Sequence, residues 1–224
     1  MWSINESGKM GMIEPTKTAR WRRFLWFALI ALTLFRLGLF ARAPYFYVPG
    51  SDYDDLNQLR LADSLLKTGW LGDYSYTTLI KGVSFPLFVA IANRLFMPYG
   101  FALGLYYVLS AGVFCAAMDR VARRPWLAGV AYLWLIWSPI SFGIISARVY
   151  RNAILFPAVL HALGCLLMVY NHRGERAVRQ LPWLIWAGLS FAFFYYIRED
   201  SYGCCRCSRP AWRCARSGRS GSPA

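Results

Sequence analysis

Apolar blocks recur along the chain at 24–41, 81–96, 101–118, 126–145, 153–170 and 182–197, with short basic clusters between them. This alternation constrains the fold more than any other feature. A block near 18 apolar residues is long enough to cross a bilayer as a helix. Inside lipid every backbone polar group must find its partner within the segment, so such blocks fold as helices. Hydrophobic residues make up 57% of the chain and charged ones only 16%, well below the roughly 25% of a soluble domain. The expectation is an all-α, polytopic transmembrane helix bundle.

The basic clusters give the parity. Lys9, Lys17, Arg20, Arg22 and Arg23 precede the first block, Arg120, Arg123 and Arg124 follow the third, and Arg173, Arg176 and Arg179 sit before the last. Cytoplasmic loops carry the Lys/Arg excess. With the N-terminus inside, all three clusters fall inside. If 83–97 crossed the membrane, Arg120, Arg123 and Arg124 would fall outside. That block is also short, has Pro86 near its start and carries Asn93-Arg94, so it reads as re-entrant or interfacial. The pattern predicts about five spans. Residues 1–23 are a cytoplasmic basic leader, 24–200 the transmembrane module, and 42–82 its first outer loop. Arg36 lies near the outer end of the first span and is expected to snorkel to the interface. Ala41-Arg42-Ala43 has the Ala-x-Ala form of a signal-peptide cleavage site, but the apolar run is longer than an h-region and more spans follow, so we read a retained span.

A net charge of +14 invites a nucleic-acid partner. The charges sit instead at the ends of apolar blocks and in the tail, and no nucleic-acid partner is expected. Residues 201–224 hold Arg206, Arg209, Arg213, Arg216 and Arg219 but no Leu, Ile, Val, Met or Phe. Such a segment neither builds a core nor crosses a bilayer. It reads as an out-of-frame end that truncates a longer membrane protein, with a natural disordered basic tail as the alternative. Cys204, Cys205, Cys207 and Cys214 match no zinc spacing. Cys115 and Cys165, alone in apolar blocks, read as small buried hydrophobes. His161, in mid-block, reads as a packed histidine bonded to a neighbouring helix.

The outer loop 42–82 holds Asp52, Asp54, Asp55, Asp63 and Asp73, five of the chain's eleven acidic residues. Leu56, Leu59, Ala62, Leu65 and Leu66 recur at helical spacing and Gly69 follows as a stop. This predicts a short juxtamembrane helix with that apolar face on the membrane or the bundle. An Asp before a helix is a good N-cap, and Asp52 is the best placed for it. Three close carboxylates repel unless a cation or donors offset them, so spacing alone leaves cap and site both open. Lys81 stands at the next membrane entry and Arg148 and Arg151 in the following outer loop. Each is either a snorkelling side chain or a phosphate ligand. The acids are suited to act as a general base or to hold a divalent cation. Together these residues suit chemistry on a membrane-bound phosphate ester.

The order of these features resembles a known family. One span is followed by Asp54-Asp55-x6-Ala62-Asp63-Ser64-Leu65-Leu66-Lys67-Thr68-Gly69-Trp70. Lys81-Gly82-x-x-x-Pro86-Leu87-Phe88 and then Ala147-Arg148-x-x-Arg151 come after it. Over roughly residues 20–200 this is similar to the N-terminal module of GT-C-fold glycosyltransferases that use polyprenyl-phosphate sugars, such as aminoarabinose transferases and protein O-mannosyltransferases. The resemblance implies a bacterial inner-membrane enzyme that transfers a sugar from a lipid-linked donor on the extracytoplasmic face. It implies Asp54 as catalytic base or metal-linked acid, Asp55 as the acid beside it, and Lys81 on the lipid phosphate. Arg148 takes the place of the arginine of the second outer loop. Asn152 stands where related loops carry an acid. Two other classes share the patterning. A transporter or flippase would pair charges at mid-depth, whereas here only Arg36, Arg94 and His161 lie within or near apolar blocks. A membrane assembly protein would use the acidic loop to bind a partner.

Overall fold

The computed structural model describes residues 2–4, 10–12, 17–48, 55–72 and 82–197. Among these the fold is helical, apart from a short antiparallel pair near the N-terminus. That pair joins Trp2–Ile4 (β1) to Met10–Met12 (β2), with Trp2 opposite Met12. The helices are α1 (Lys17–Arg42), α2 (Asn57–Thr68), α3 (Ser84–Arg94), α4 (Tyr99–Ala122), α5 (Pro125–Ile136), α6 (Ile144–Ala147), α7 (Arg151–Asn171) and α8 (Ala177–Tyr195). A 3-10 turn, Pro139–Phe142, stands between α5 and α6.

Contacts at the helix termini define two ends of the bundle. At one end, Arg120 Nη1 donates to His172 Nε2 at 2.6 Å and Asn171 Nδ2 donates to Ala117 O at 2.9 Å, joining the last turns of α4 and α7. His172 is buried, and its Nδ1 lies 2.7 Å from Met168 O. Arginine only donates, so Nε2 accepts and the proton sits on Nδ1. At the other end, the Tyr45 ring meets Tyr99 edge-on at 5.2 Å, and Ser84 Oγ donates to Phe193 O at 2.7 Å. The basic connections 123–124 and 172–176 therefore share one end, and the start of the 42–82 connection lies at the other. Among the described residues, α1, α4, the α5–α6 stretch, α7 and α8 are the five segments that connect these two ends.

Three of these are long and apolar enough to cross a membrane: Arg23–Arg42, Tyr99–Ala122 and Arg151–Asn171. The block at 126–145 is broken instead. Pro139, which has no N–H, opens the 3-10 turn after α5 has ended at Ile136. In α8, Arg179, Gln180 and Pro182 dilute the apolar character of the first turns. With 11 residues, α3 is about 16 Å long, about half a hydrocarbon core. It lies between two segments of the same end.

Small residues let α4 and α7 pack closely. Ala111 and Ala117 on α4, and Ala158, Ala162 and Gly164 on α7, are buried at the bundle interior. A Cβ at Gly164 would stand 2.8 Å from Phe114 N and 2.9 Å from Phe114 Cα. Backbone atoms cannot swing aside, so Gly164→Val forces the helices apart. We expect it to lower stability by about 2 kcal/mol. Gly188, with nothing within 4 Å, should accept alanine with no loss. Unfolding in mixed detergent micelles measures both.

Arg36 corrects the snorkelling expectation. Its side chain turns inward, and the residue is 2% exposed. Nε donates to Ile136 O at 2.9 Å, and Nη2 donates to Ser141 Oγ at 2.6 Å and to Ser141 O at 3.3 Å. Its guanidinium lies 3.7 Å from the Phe142 ring centroid and 4.2 Å from that of Phe40. Breaking the 126–145 block freed the carbonyls at the end of α5. A cation at the negative end of that helix satisfies the Ile136 carbonyl.

The apolar core gathers at the Tyr45–Tyr99 end. It comprises Phe40 from α1, Phe85 from α3, Leu103 and Tyr107 from α4, Ala153, Ile154 and Ala158 from α7, and Ile197.

Candidate functional site

The site is built where the chain leaving α1 meets the chain entering α7. Phe46 and Arg148 form an isolated parallel bridge. In it Phe46 N donates to Ala147 O at 3.2 Å and Val149 N donates to Phe46 O at 2.8 Å. This bridge brings Arg148 to Asp55, 93 positions away in sequence. Arg148 Nε donates to Asp55 Oδ2 at 2.8 Å and Nη2 to Oδ1 at 2.7 Å. Two parallel bonds of this length are the strong, planar form of the arginine–carboxylate pair. Val48 N donates to Oδ2 at 3.2 Å. The Asp55 carboxylate is completely buried, whereas Arg148 is about one-third exposed.

Tyr150 is buried beside the pair. The Arg148 guanidinium carbon stands 4.8 Å from its ring centroid and that of Arg151 5.3 Å. One ring thus holds two predicted phosphate ligands in proximity. Tyr45 donates its hydroxyl to Phe40 O at 2.8 Å. Burial pushes that hydroxyl up to about 12, against the opposing pull of Arg36, so it stays a neutral donor.

Of the predicted site residues, Asp55, Arg148 and Arg151 come together. Asp54 and Lys81 lie outside the described residues, as does the predicted cap Asp52. The predicted helix exists as α2, and Gly69 ends it in the left-handed region, its N–H bonded to Leu65 O. Its buried face differs from the expected stripe. Asp55, Gln58, Leu61 and Ala62 are buried, whereas Leu56, Leu59, Leu65 and Leu66 are only half-covered. Pairing with Arg148 turns Asp55 inward, and Gln58 follows one turn later. The apolar side of α2 faces the bundle, with Leu61 and Ala62 buried.

Sequence reasoning missed Gln58. It is completely buried, yet neither its Nε2 nor its Oε1 has a hydrogen-bond partner among the described residues. Asn152 Oδ1, four residues beyond Arg148, is likewise buried without a partner. The spacing from Asp55 to Gln58, three residues and so one face of a helix, was the available clue. Both Asp55 oxygens already accept hydrogen bonds, so binding a cation or taking a proton there means displacing Arg148. No cluster of three or more metal-ligating side chains occurs among the described residues.

His161 meets its expectation: Trp186 on α8 donates its indole N–H to His161 Nε2 at 2.9 Å. Cys115 and Cys165 are buried free thiols. Comparison with protein-family models, with curated proteins and with solved structures finds no match to this chain.

Proposed function

We propose that this chain is an integral membrane glycosyltransferase module of the GT-C type, moving a sugar from a polyprenyl-phosphate donor to an acceptor hydroxyl. In this reading the five end-to-end segments all cross a bacterial plasma membrane. The basic connections face the cytoplasm, and the Asp55–Arg148 end faces outward. The observation that carries the reading is the buried, two-point ion pair between the 42–82 connection and the 148–152 segment. These are the two outer loops whose acids and bases the chemistry requires to meet.

Asp55 is engaged by Arg148 and Val48, so it positions the loop, and Asp54 acts as the general base. Lys81, Arg148 and Arg151 bind the donor phosphate. Asp54 takes the proton of the acceptor hydroxyl, whose oxygen attacks the anomeric carbon. The bond from that carbon to the phosphate oxygen breaks, and polyprenyl phosphate leaves with the electron pair. A divalent cation beside Asp54 would share the phosphate charge.

Phosphate recognition is testable by binding. The full chain in lipid nanodiscs is expected to retain farnesyl-phosphate glycosides over the phosphate-free farnesyl glycosides. Lys81→Gln and Arg151→Gln should each weaken retention about tenfold, the loss of one charge-assisted hydrogen bond. Equal retention of the phosphate-free glycolipid would refute the reading.

A further inference from the structure

We infer that the carboxamides of Gln58 and Asn152 are a recognition site for the sugar hydroxyls of the donor. This rests on the glycosyltransferase reading and names what that site reads.

Three observations support it. First, among the described residues the completely buried Gln58 amide has no hydrogen-bond partner at either atom, and Asn152 Oδ1 is buried with none. Native proteins pair nearly all such groups, and an exception calls for a ligand, an ordered water or a role. An apolar side chain of the same shape would avoid the penalty altogether. Second, each amide is close in sequence to one member of the ion pair. Gln58 is one helical turn from Asp55 on the same face, and Asn152 is four residues from Arg148, with Asp55 and Arg148 in direct contact. Third, the charges of the ion pair offset each other. The amides carry none. Beside a phosphate held by Lys81 and Arg151, these uncharged amides suit a neutral group with both donors and acceptors. A carboxamide offers one acceptor oxygen and two N–H donors. A sugar hydroxyl both donates and accepts, so neighbouring hydroxyls complement Gln58 at both of its atoms.

The site thereby discriminates. A donor lacking the hydroxyls leaves the Gln58 amide and Asn152 Oδ1 buried and unpaired, which is how polar pockets reject deoxy analogues.

The test uses the full chain in nanodiscs, with farnesyl phosphate and its glucosyl, mannosyl and arabinosyl esters as probes. The wild-type chain should bind at least one glycosyl ester about tenfold or more tighter than farnesyl phosphate. Gln58→Met should keep the affinity for farnesyl phosphate and lose the sugar increment. Without ligand it should also melt higher than wild type, because the buried amide is gone. Asn152→Leu should reduce the same increment. A Gln58→Met variant that melts higher and keeps the sugar increment would show a water-satisfied or merely tolerated amide, and would overturn the inference. Equal binding of farnesyl phosphate and all its glycosyl esters by the wild type would also overturn it. Failure to bind farnesyl phosphate at all would instead sink the glycosyltransferase reading itself.

Discussion

Replacing Arg148 with methionine is expected to destabilise the folded chain by about 3 kcal/mol, the lower part of the range for breaking a buried ion pair. The reason lies with the partner left behind. Asp55 is completely buried and takes both of its strongest hydrogen bonds from Arg148, at 2.7 and 2.8 Å. Without the guanidinium its charge keeps only the Val48 N–H at 3.2 Å. Arg148 itself is about one-third exposed, which is why we take the lower end. Lysine should restore little, because one ammonium cannot make two parallel bonds to a carboxylate. The double variant Asp55→Leu, Arg148→Met removes both charges and should recover most of the loss. Detergent-titrated unfolding of the wild type, Arg148→Met, Asp55→Leu and the double variant gives the coupling between the two residues. Additive losses would mean that the pair does not join the loops.

The second large effect is on chemistry. Asp54→Asn should cut sugar transfer by at least about a hundredfold, the usual contribution of a general base. The asparagine is isosteric but accepts no proton, so donor binding should stay within about twofold of wild type. Release of labelled sugar from a prenyl-phosphate glycoside to an acceptor, beside donor binding by the same preparations, separates the two steps. Asp55→Asn is a different case. It weakens the tie to Arg148, so it should reduce stability and transfer together. Undiminished transfer by Asp54→Asn would remove Asp54 from the chemistry.

These expectations rest on features of unequal legibility. The blocks behind α1, α4 and α7 were readable because length and apolarity alone decide them. The α2 helix and its Gly69 stop were readable from local spacing. The face that α2 buries was not. Leucine spacing pointed to one stripe, and a pair formed 93 positions away turned Asp55 and Gln58 inward instead. Arg36 failed for a similar reason. Its depth in the span suggested escape to the interface, but the carbonyls it meets exist only because Pro139 breaks the 126–145 block. Asp55 and Arg148 were each visible as candidates, and their contact was not, because nothing local encodes it. Gln58 is a neutral residue with no chemical signal of its own, and Asn152 stands out in the sequence only as an amide in the place of an acid. Burial without a partner marks them both.

Photo-crosslinking with a diazirine-bearing farnesyl-phosphate glycoside tests the central claim most directly. On the reconstituted full chain, label is predicted in peptides covering residues 51–82 and 146–152, and excess unmodified donor should remove it. Label confined to the exposed apolar surfaces of α1 and α8, unaffected by competing donor, would contradict a donor site at the Asp55–Arg148 end.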